Sequence, residues 1–189
     1  MSSVEIIAIG ASLGGLRALQ AVLRGLPAGL SACVIVTQHR RADPESKLAY
    51  LLGRECQLPV IEPEDKLPLE RGHVYLAPSD YHLLVERGSL ALSVDPPVQY
   101  ARPSIDVLFE SVADAYGPAA VGVMLTSSSA DGAAGAAAIK RAGGRVLVQD
   151  PDTAESPVGP RAVIASTTVD AVVGLERLAE MLVKLVTGK

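Results

Sequence analysis

The sequence predicts an α/β fold, a doubly wound and mostly parallel sheet with helices on both faces and an appended antiparallel hairpin. Three observations carry that prediction. Continuous apolar, β-branched runs recur along the chain, among them Val4-Glu5-Ile6-Ile7-Ala8-Ile9, Ala32-Cys33-Val34-Ile35-Val36-Thr37 and residues 119–125, as expected of strands covered on both faces. Segments of helical period separate these runs, which makes successive βαβ units and a right-handed parallel crossover. Between His82 and Val94 the pattern changes to two short arms around Arg87-Gly88, the second alternating apolar with polar, which is the signature of a hairpin.

The first strand ends in Gly10-Ala11-Ser12-Leu13-Gly14-Gly15 and hands over to a helix whose Leu16, Leu19, Leu23 and Leu26 fall mostly on one face. A helix start leaves backbone N–H groups unpaired and carries a partial positive charge, so this turn suits a negative charge. Gly10-x-Ser12-x-x-Gly15 comes close to the dinucleotide fingerprint, but the middle glycine is serine. The acid wanted at the end of the second strand is also missing, because that strand runs into Thr37-Gln38-His39-Arg40. Gly10-x-Ser12-x-Gly14 fits the nucleophile elbow better, with a hydroxyl held beside the amides of Leu13, Gly14 and Gly15, which could bind an oxyanion. The plainer alternative is a serine that only caps the helix.

After the break at Pro27-Ala28-Gly29 and the second strand, His39 follows at once. Ligands of open parallel sheets bind beyond the carboxyl ends of the strands, so topology brings Ser12 and His39 to one edge. Asp43-Pro44-Glu45 reads as a helix start, with Asp as N-cap and Pro at the first helical position. A short strand at Val60-Ile61, a charged surface loop over residues 63–72 and a strand at Val74-Tyr75-Leu76 come next. His73 and His82 have no partners at metal-ligand spacing and read as structural.

The loop from Pro96-Pro97 closes at Arg102-Pro103-Ser104-Ile105-Asp106 and opens a helix through residues 107–113. Arg102 can bind substrate or pair with a nearby acid. The strand over residues 119–125 runs into Thr126-Ser127-Ser128-Ser129-Ala130-Asp131-Gly132, ahead of an Ala-rich helix over residues 133–142 that stops at Gly143-Gly144. Asp131 is expected to cap that helix, to orient His39, or both. A strand over residues 145–149, a short helix over 160–165, a strand at Ala171-Val172-Val173 and a helix over 175–186 complete the chain.

Composition narrows the function. A net charge of −4, from 17 basic and 21 acidic residues, argues against nucleic acid and anionic membrane as partners. There is no signal peptide pattern and no apolar window long enough to span a bilayer, so the expectation is a cytoplasmic chain without membrane insertion. Cys33 and Cys56 read as reduced and structural, and no metal or cofactor is expected. With 49% hydrophobic residues, no Trp and one Phe, the core must be built from Val, Leu, Ile and Ala.

Five motifs occur in order: Gly10-Ala11-Ser12-x-Gly14-Gly15, Thr37-Gln38-His39, Ala77-Pro78-Ser79-Asp80, Arg102-Pro103-Ser104-Ile105-Asp106-Val107-Leu108-Phe109 and Ala130-Asp131-Gly132-Ala133-x-Gly135. Together they resemble the catalytic domain of the chemotaxis receptor methylesterases, the CheB family, over almost the whole chain. The resemblance implies a single catalytic domain over residues 1–189 and a triad of Ser12, His39 and Asp131. That triad would hydrolyse glutamyl γ-methyl esters on the cytoplasmic domain of methyl-accepting chemoreceptors, with deamidation of receptor glutamine as a related activity. It also adds the Ser128 amide to the oxyanion donors. The order Ser, His, Asp differs from the Ser, Asp, His of α/β-hydrolases.

The sequence departs from the family in three places. The chain starts at the catalytic domain, like stand-alone members, so a separate regulatory partner is expected in place of a receiver domain. Where the family has Thr-Gly-x, this chain has Thr126-Ser127-Ser128-Ser129, and Gly159-Pro160 stands for Met-Pro. These changes keep a second reading open, an inactive esterase-like binding or regulatory module in a chemosensory system.

Overall fold

The structure is a computed structural model and describes residues 3–43 and 46–188. Its elements, in order, are β1 (Ile6–Ala11), α1 (Gly15–Arg24), β2 (Cys33–Gln38), α2 (Leu48–Gly53), β3 (Val60–Ile61), β4 (Val74–Leu76), β5 (His82–Glu86), β6 (Ser89–Ser93), α3 (Ile105–Tyr116), β7 (Ala120–Met124), α4 (Ala133–Arg141), β8 (Arg145–Gln149), α5 (Val158–Ser166), β9 (Ala171–Val173) and α6 (Leu175–Thr187). Seven strands form one sheet in the order β3-β4-β2-β1-β7-β8-β9, and every pairing in it is parallel. The hairpin of β5 and β6 forms its own antiparallel two-stranded sheet, with His82 opposite Ser93 and Glu86 opposite Ser89.

The apolar runs are strands because both faces of the sheet are covered. Along β1, Ile7, Ile9 and Ala11 enter one core with Leu19 and Leu23 of α1 and Leu178 and Leu182 of α6. Ile6 and Ala8 point the other way, into a core with Leu108 and Phe109 of α3, Ile139 of α4 and Leu83 of the hairpin. β1 is the central strand, with β2 in register on one side and β7 on the other. Chain direction across the sheet reverses there, so the crevice beyond the carboxyl end of β1 is where such a fold places its ligand.

Three expectations about helices shift. The helix expected through residues 107–113 runs over Ile105–Tyr116. Of the helix start expected at Asp43-Pro44-Glu45, Pro44 and Glu45 lie outside the described residues, and α2 begins at Leu48. The helix expected over residues 160–165 extends at both ends, to Val158–Ser166.

Helices α3 and α4 cross closely because position 135 carries no side chain. A Cβ on Gly135 would lie 2.5 Å from Phe109 Cβ and 3.0 Å from the Asp106 carbonyl oxygen, so backbone as well as side chain would have to move. We predict that Gly135→Ala destabilises the fold by about 2 kcal/mol, the range of overpacked cores, read as a lower urea midpoint. An unchanged midpoint contradicts the tight crossing.

Candidate active site

The turn after β1 is built so that Ser12 faces outward with its hydroxyl unengaged. Gly14, not Ser12, is the N-cap of α1, with φ of 79°, a left-handed conformation that glycine adopts without cost. Ser12 itself has no positive φ, so the sharpness of the turn falls two residues after the hydroxyl rather than on it. No hydrogen bond holds the Ser12 hydroxyl among the described residues, which removes the capping alternative. Its backbone is fixed on both sides: Ser12 N donates to the Thr126 carbonyl at 2.9 Å, and Gln38 Nε2 donates to the Ser12 carbonyl at 2.8 Å. Gln38 packs over Gly15, where a Cβ would collide with Gln38 Oε1.

His39 lies one strand away, its amide donating to the Ala11 carbonyl at 2.9 Å. Ser12 and His39 line one cleft of about 490 Å³, together with Arg40, Arg41, Gln99, Tyr100, Arg102, Ser128 and Ser129. No hydrogen bond joins the Ser12 hydroxyl to the His39 ring. The other link is made: His39 Nε2 lies 2.6 Å from Asp131 Oδ2, with the His39 side chain 14% exposed and that of Asp131 fully buried.

Asp131 does not cap its own helix. Gly132 is the N-cap of α4, and the Asp131 carboxylate crosses to the start of α3. There Oδ2 accepts from Ile105 N at 2.7 Å, while Oδ1 accepts from Asp106 N at 2.9 Å and Ser104 Oγ at 2.8 Å. Asp106 returns the favour: its Oδ1 accepts from Gly132 N at 2.9 Å and Gly135 N at 2.8 Å, at the start of α4, and its Oδ2 accepts from Gln99 Nε2 at 2.7 Å. Each acid therefore caps the other's helix.

Their ionisation diverges. Burial works to raise Asp131, but hydrogen bonds from His39, the Asp106 and Ile105 amides and Ser104 outweigh it, holding the carboxyl below the ordinary Asp range. For Asp106 burial wins, helped by the charge of Asp131, and its pKa is raised. An ionised Asp131 can only accept, so His39 Nε2 must carry the proton it donates, leaving the Nδ1 lone pair free to act as a base.

The four expected oxyanion donors separate. Gly15 N–H is spent on the Ser12 carbonyl at 2.8 Å, which takes it out of the set. Leu13, Gly14 and Ser128 amides have no hydrogen-bond partner among the described residues. Arg102 rims the cleft with its guanidinium committed: Nε and Nη2 donate to Asp80 Oδ1 at 3.1 and 2.6 Å, and Nη1 to the carbonyls of Val94 and Asp95 at 2.9 and 3.1 Å. The salt-bridge alternative for Arg102 is the one observed, and it anchors the loop before α3.

The serine run is ordered by its own hydroxyls. Ser127 Oγ donates to the Ser129 carbonyl at 3.2 Å and accepts from Ser129 N at 3.1 Å, and Ser129 Oγ accepts from Asp131 N at 3.1 Å. A Cβ on Gly159 would come within 2.7 Å of Ser127 Cβ and 2.5 Å of Met124 Cε. Positions 127 and 159 therefore touch, and the Ser127 side chain lies where a side chain at position 159 would have to go.

A second serine also meets Asp131, with a histidine behind it, and neither lines the cleft. Ser104 Oγ donates to Asp131 and accepts from Val107 N, while His82 accepts from Ser104 N at 3.2 Å and has its other ring nitrogen 3.1 Å from the Pro96 carbonyl. Both are buried, and neither lines the cleft that holds Ser12 and His39. His73 stacks on Tyr75, with ring centroids 6.1 Å apart.

Sequence reasoning missed Gln38, Gln99, Ser104 and Asp106. For Asp106 a signal existed, an acid in the first turn of a helix opposite the glycines of Asp131-Gly132-Ala133-x-Gly135, but the partner helix was not deducible from spacing.

Asp131 links pH to stability with a definite sign. Its folded pKa lies below its unfolded value, so its contribution is complete above the unfolded carboxylate range of about 4 and is lost as pH falls through the folded value. Asp106, raised on folding, contributes with the opposite sign as pH climbs out of that range. Asp131→Asn is predicted to cost about 3 kcal/mol at neutral pH, and the difference from the parent should shrink below about pH 4 in urea titrations. A deficit that stays constant with pH contradicts the ionised cap.

A family model described as CheB methylesterase matches residues 7–182. A Leptospira interrogans protein is 40% identical over 182 residues, spanning 96% of this chain and 94% of its own length. An Anaeromyxobacter dehalogenans protein named protein-glutamate methylesterase/protein-glutamine glutaminase 2 is 43% identical over 182 residues, which is 96% of this chain and 53% of that protein. The solved catalytic domain of Thermotoga maritima CheB methylesterase matches with a TM-score of 0.92 and 31% identity, covering 97% of this chain and 100% of that one. With its fold and the order of its motifs, the chain belongs to the CheB methylesterase family, a family of carboxylic-ester hydrolases.

Proposed function

We propose that this chain is a protein-glutamate methylesterase, with Ser12 as nucleophile, His39 as general base and Asp131 as the carboxylate that orients and charges the ring. The observation that carries the reading is the 2.6 Å contact of His39 Nε2 with a buried Asp131, in a cleft that Ser12 also lines.

His39 Nδ1 takes the Ser12 proton as Oγ attacks the ester carbonyl, and the buried carboxylate stabilises the imidazolium that forms. The Ser12 to His39 bond forms as substrate binds, since such contacts are often long in empty sites. The oxyanion is met by the amides of Leu13, Gly14 and Ser128, each such donor contributing about 3 kcal/mol to barrier lowering. The imidazolium returns its proton to the leaving methoxide, and methanol departs. Water activated by His39 then cleaves the acyl-enzyme, giving a glutamate side chain and restoring Ser12. With a glutamine side chain the same steps release ammonia, the second activity in the relatives' names.

The substrate is a methylated side chain on the cytoplasmic domain of a chemoreceptor, and the chain acts in the cytoplasm as one catalytic domain. Among the described residues no helix is long and apolar enough to cross a membrane.

Two measurements test the reading together. Ser12→Ala should reduce methanol release from a methylated receptor fragment by about 10⁵-fold while changing stability by less than about 0.5 kcal/mol, because no hydrogen bond among the described residues uses the hydroxyl. A fluorophosphonate should label the parent at Ser12. A folded parent that takes no label supports the inactive module instead.

A further inference from the structure

The loop between β6 and α3 ends in a tight turn at the mouth of the cleft. Val98 and Ala101 exchange backbone hydrogen bonds of 3.1 and 2.9 Å, leaving Gln99 and Tyr100 as the two corner residues. Both have positive φ, 47° and 65°, a conformation that glycine or asparagine fills more easily than a bulky side chain. A strained corner persists only where its surroundings over-determine it.

Those surroundings are visible. Gln99 Nε2 donates to the buried Asp106 at 2.7 Å, tying the turn to the acid that caps α4. On the other side, Arg102 holds Asp80 and the carbonyls of Val94 and Asp95. The turn is thus fastened from both flanks, yet Tyr100 gains nothing from it within the chain. Its side chain is fully exposed and forms no hydrogen bond or ring contact among the described residues, while lining the cleft that holds Ser12 and His39.

We infer that Tyr100 is a specificity-determining residue whose ring packs against the polypeptide flanking the esterified glutamate. This rests on the ester-hydrolase reading of the same site. A tyrosine offers a large amphipathic contact surface with few rotatable bonds, and a pre-fixed backbone avoids the ordering cost that a mobile loop would add on binding. A small ester such as p-nitrophenyl acetate carries no flanking polypeptide for the ring to pack against. The contact therefore separates protein substrates from small ones.

The experiment compares two substrates, a methylated chemoreceptor cytoplasmic fragment and p-nitrophenyl acetate. Tyr100→Gly removes the ring while suiting the positive φ, so the turn is preserved. It should lower kcat/KM on the receptor fragment about tenfold, through KM, and leave p-nitrophenyl acetate hydrolysis unchanged. Tyr100→Phe should retain the parent's KM. Parent-like kinetics of Tyr100→Gly on the fragment overturn the inference, as does an equal loss on both substrates or a Phe variant as impaired as the Gly one. A parent that hydrolyses p-nitrophenyl acetate but releases no methanol from the fragment overturns the receptor reading itself, and the Tyr100 contact with it.

Discussion

Two buried aspartates exchange caps across a pair of helix starts, and the site depends on that exchange. Asp131 precedes α4 but satisfies the first amides of α3, whereas Asp106 lies in the first turn of α3 and satisfies the amides of Gly132 and Gly135. A helix start has amides without internal partners and a partial positive charge, so each carboxylate gains both hydrogen bonds and a favourable field. Neither helix can shift without stranding donors on the other. The side chain that meets His39 is thereby held by two elements instead of one.

The electrostatic consequence is a division of labour. Two acids so close together cannot both ionise freely. The cluster resolves this by directing more donors at Asp131, whose carboxyl is held low, while Asp106 is raised by burial and by its neighbour's charge. A dependable negative charge at Asp131 fixes which ring nitrogen of His39 carries the proton, and so which one keeps a lone pair. The strand order supplies the rest. Because β1 lies between β2 and β7, residues 12, 39 and 131, far apart in sequence, emerge at neighbouring strand ends.

Much of this was legible in the sequence because period and punctuation are local. The apolar runs, the glycine turn and the alternating second arm of the hairpin each carry their structure within a few residues, and β8 and β4 begin and end where their patterns do. What was not legible depends on packing between segments. Asp131 was expected at the start of its own helix, since spacing shows the nearest amides but not those of α3. Arg102 stood between two uses until Asp80 came into view. Gly15 looked like an available donor because the bond to the Ser12 carbonyl closes only when the turn forms. Nothing in the spacing of the serine run showed its cross-bonding or its fit against Gly159, which are properties of the folded contact.

The account turns on the proton that His39 Nε2 gives to Asp131. With three histidines in the chain, ¹⁵N-labelled imidazole shifts can be assigned by substitution and read at a pH where the rings are neutral. The predicted spectrum shows His39 protonated at Nε2 and bare at Nδ1, and in Asp131→Asn that preference weakens toward a mixture of tautomers. A His39 ring protonated at Nδ1 in the parent protein would contradict the proposed mechanism, because the nitrogen it assigns to Ser12 would then have no lone pair to accept a proton.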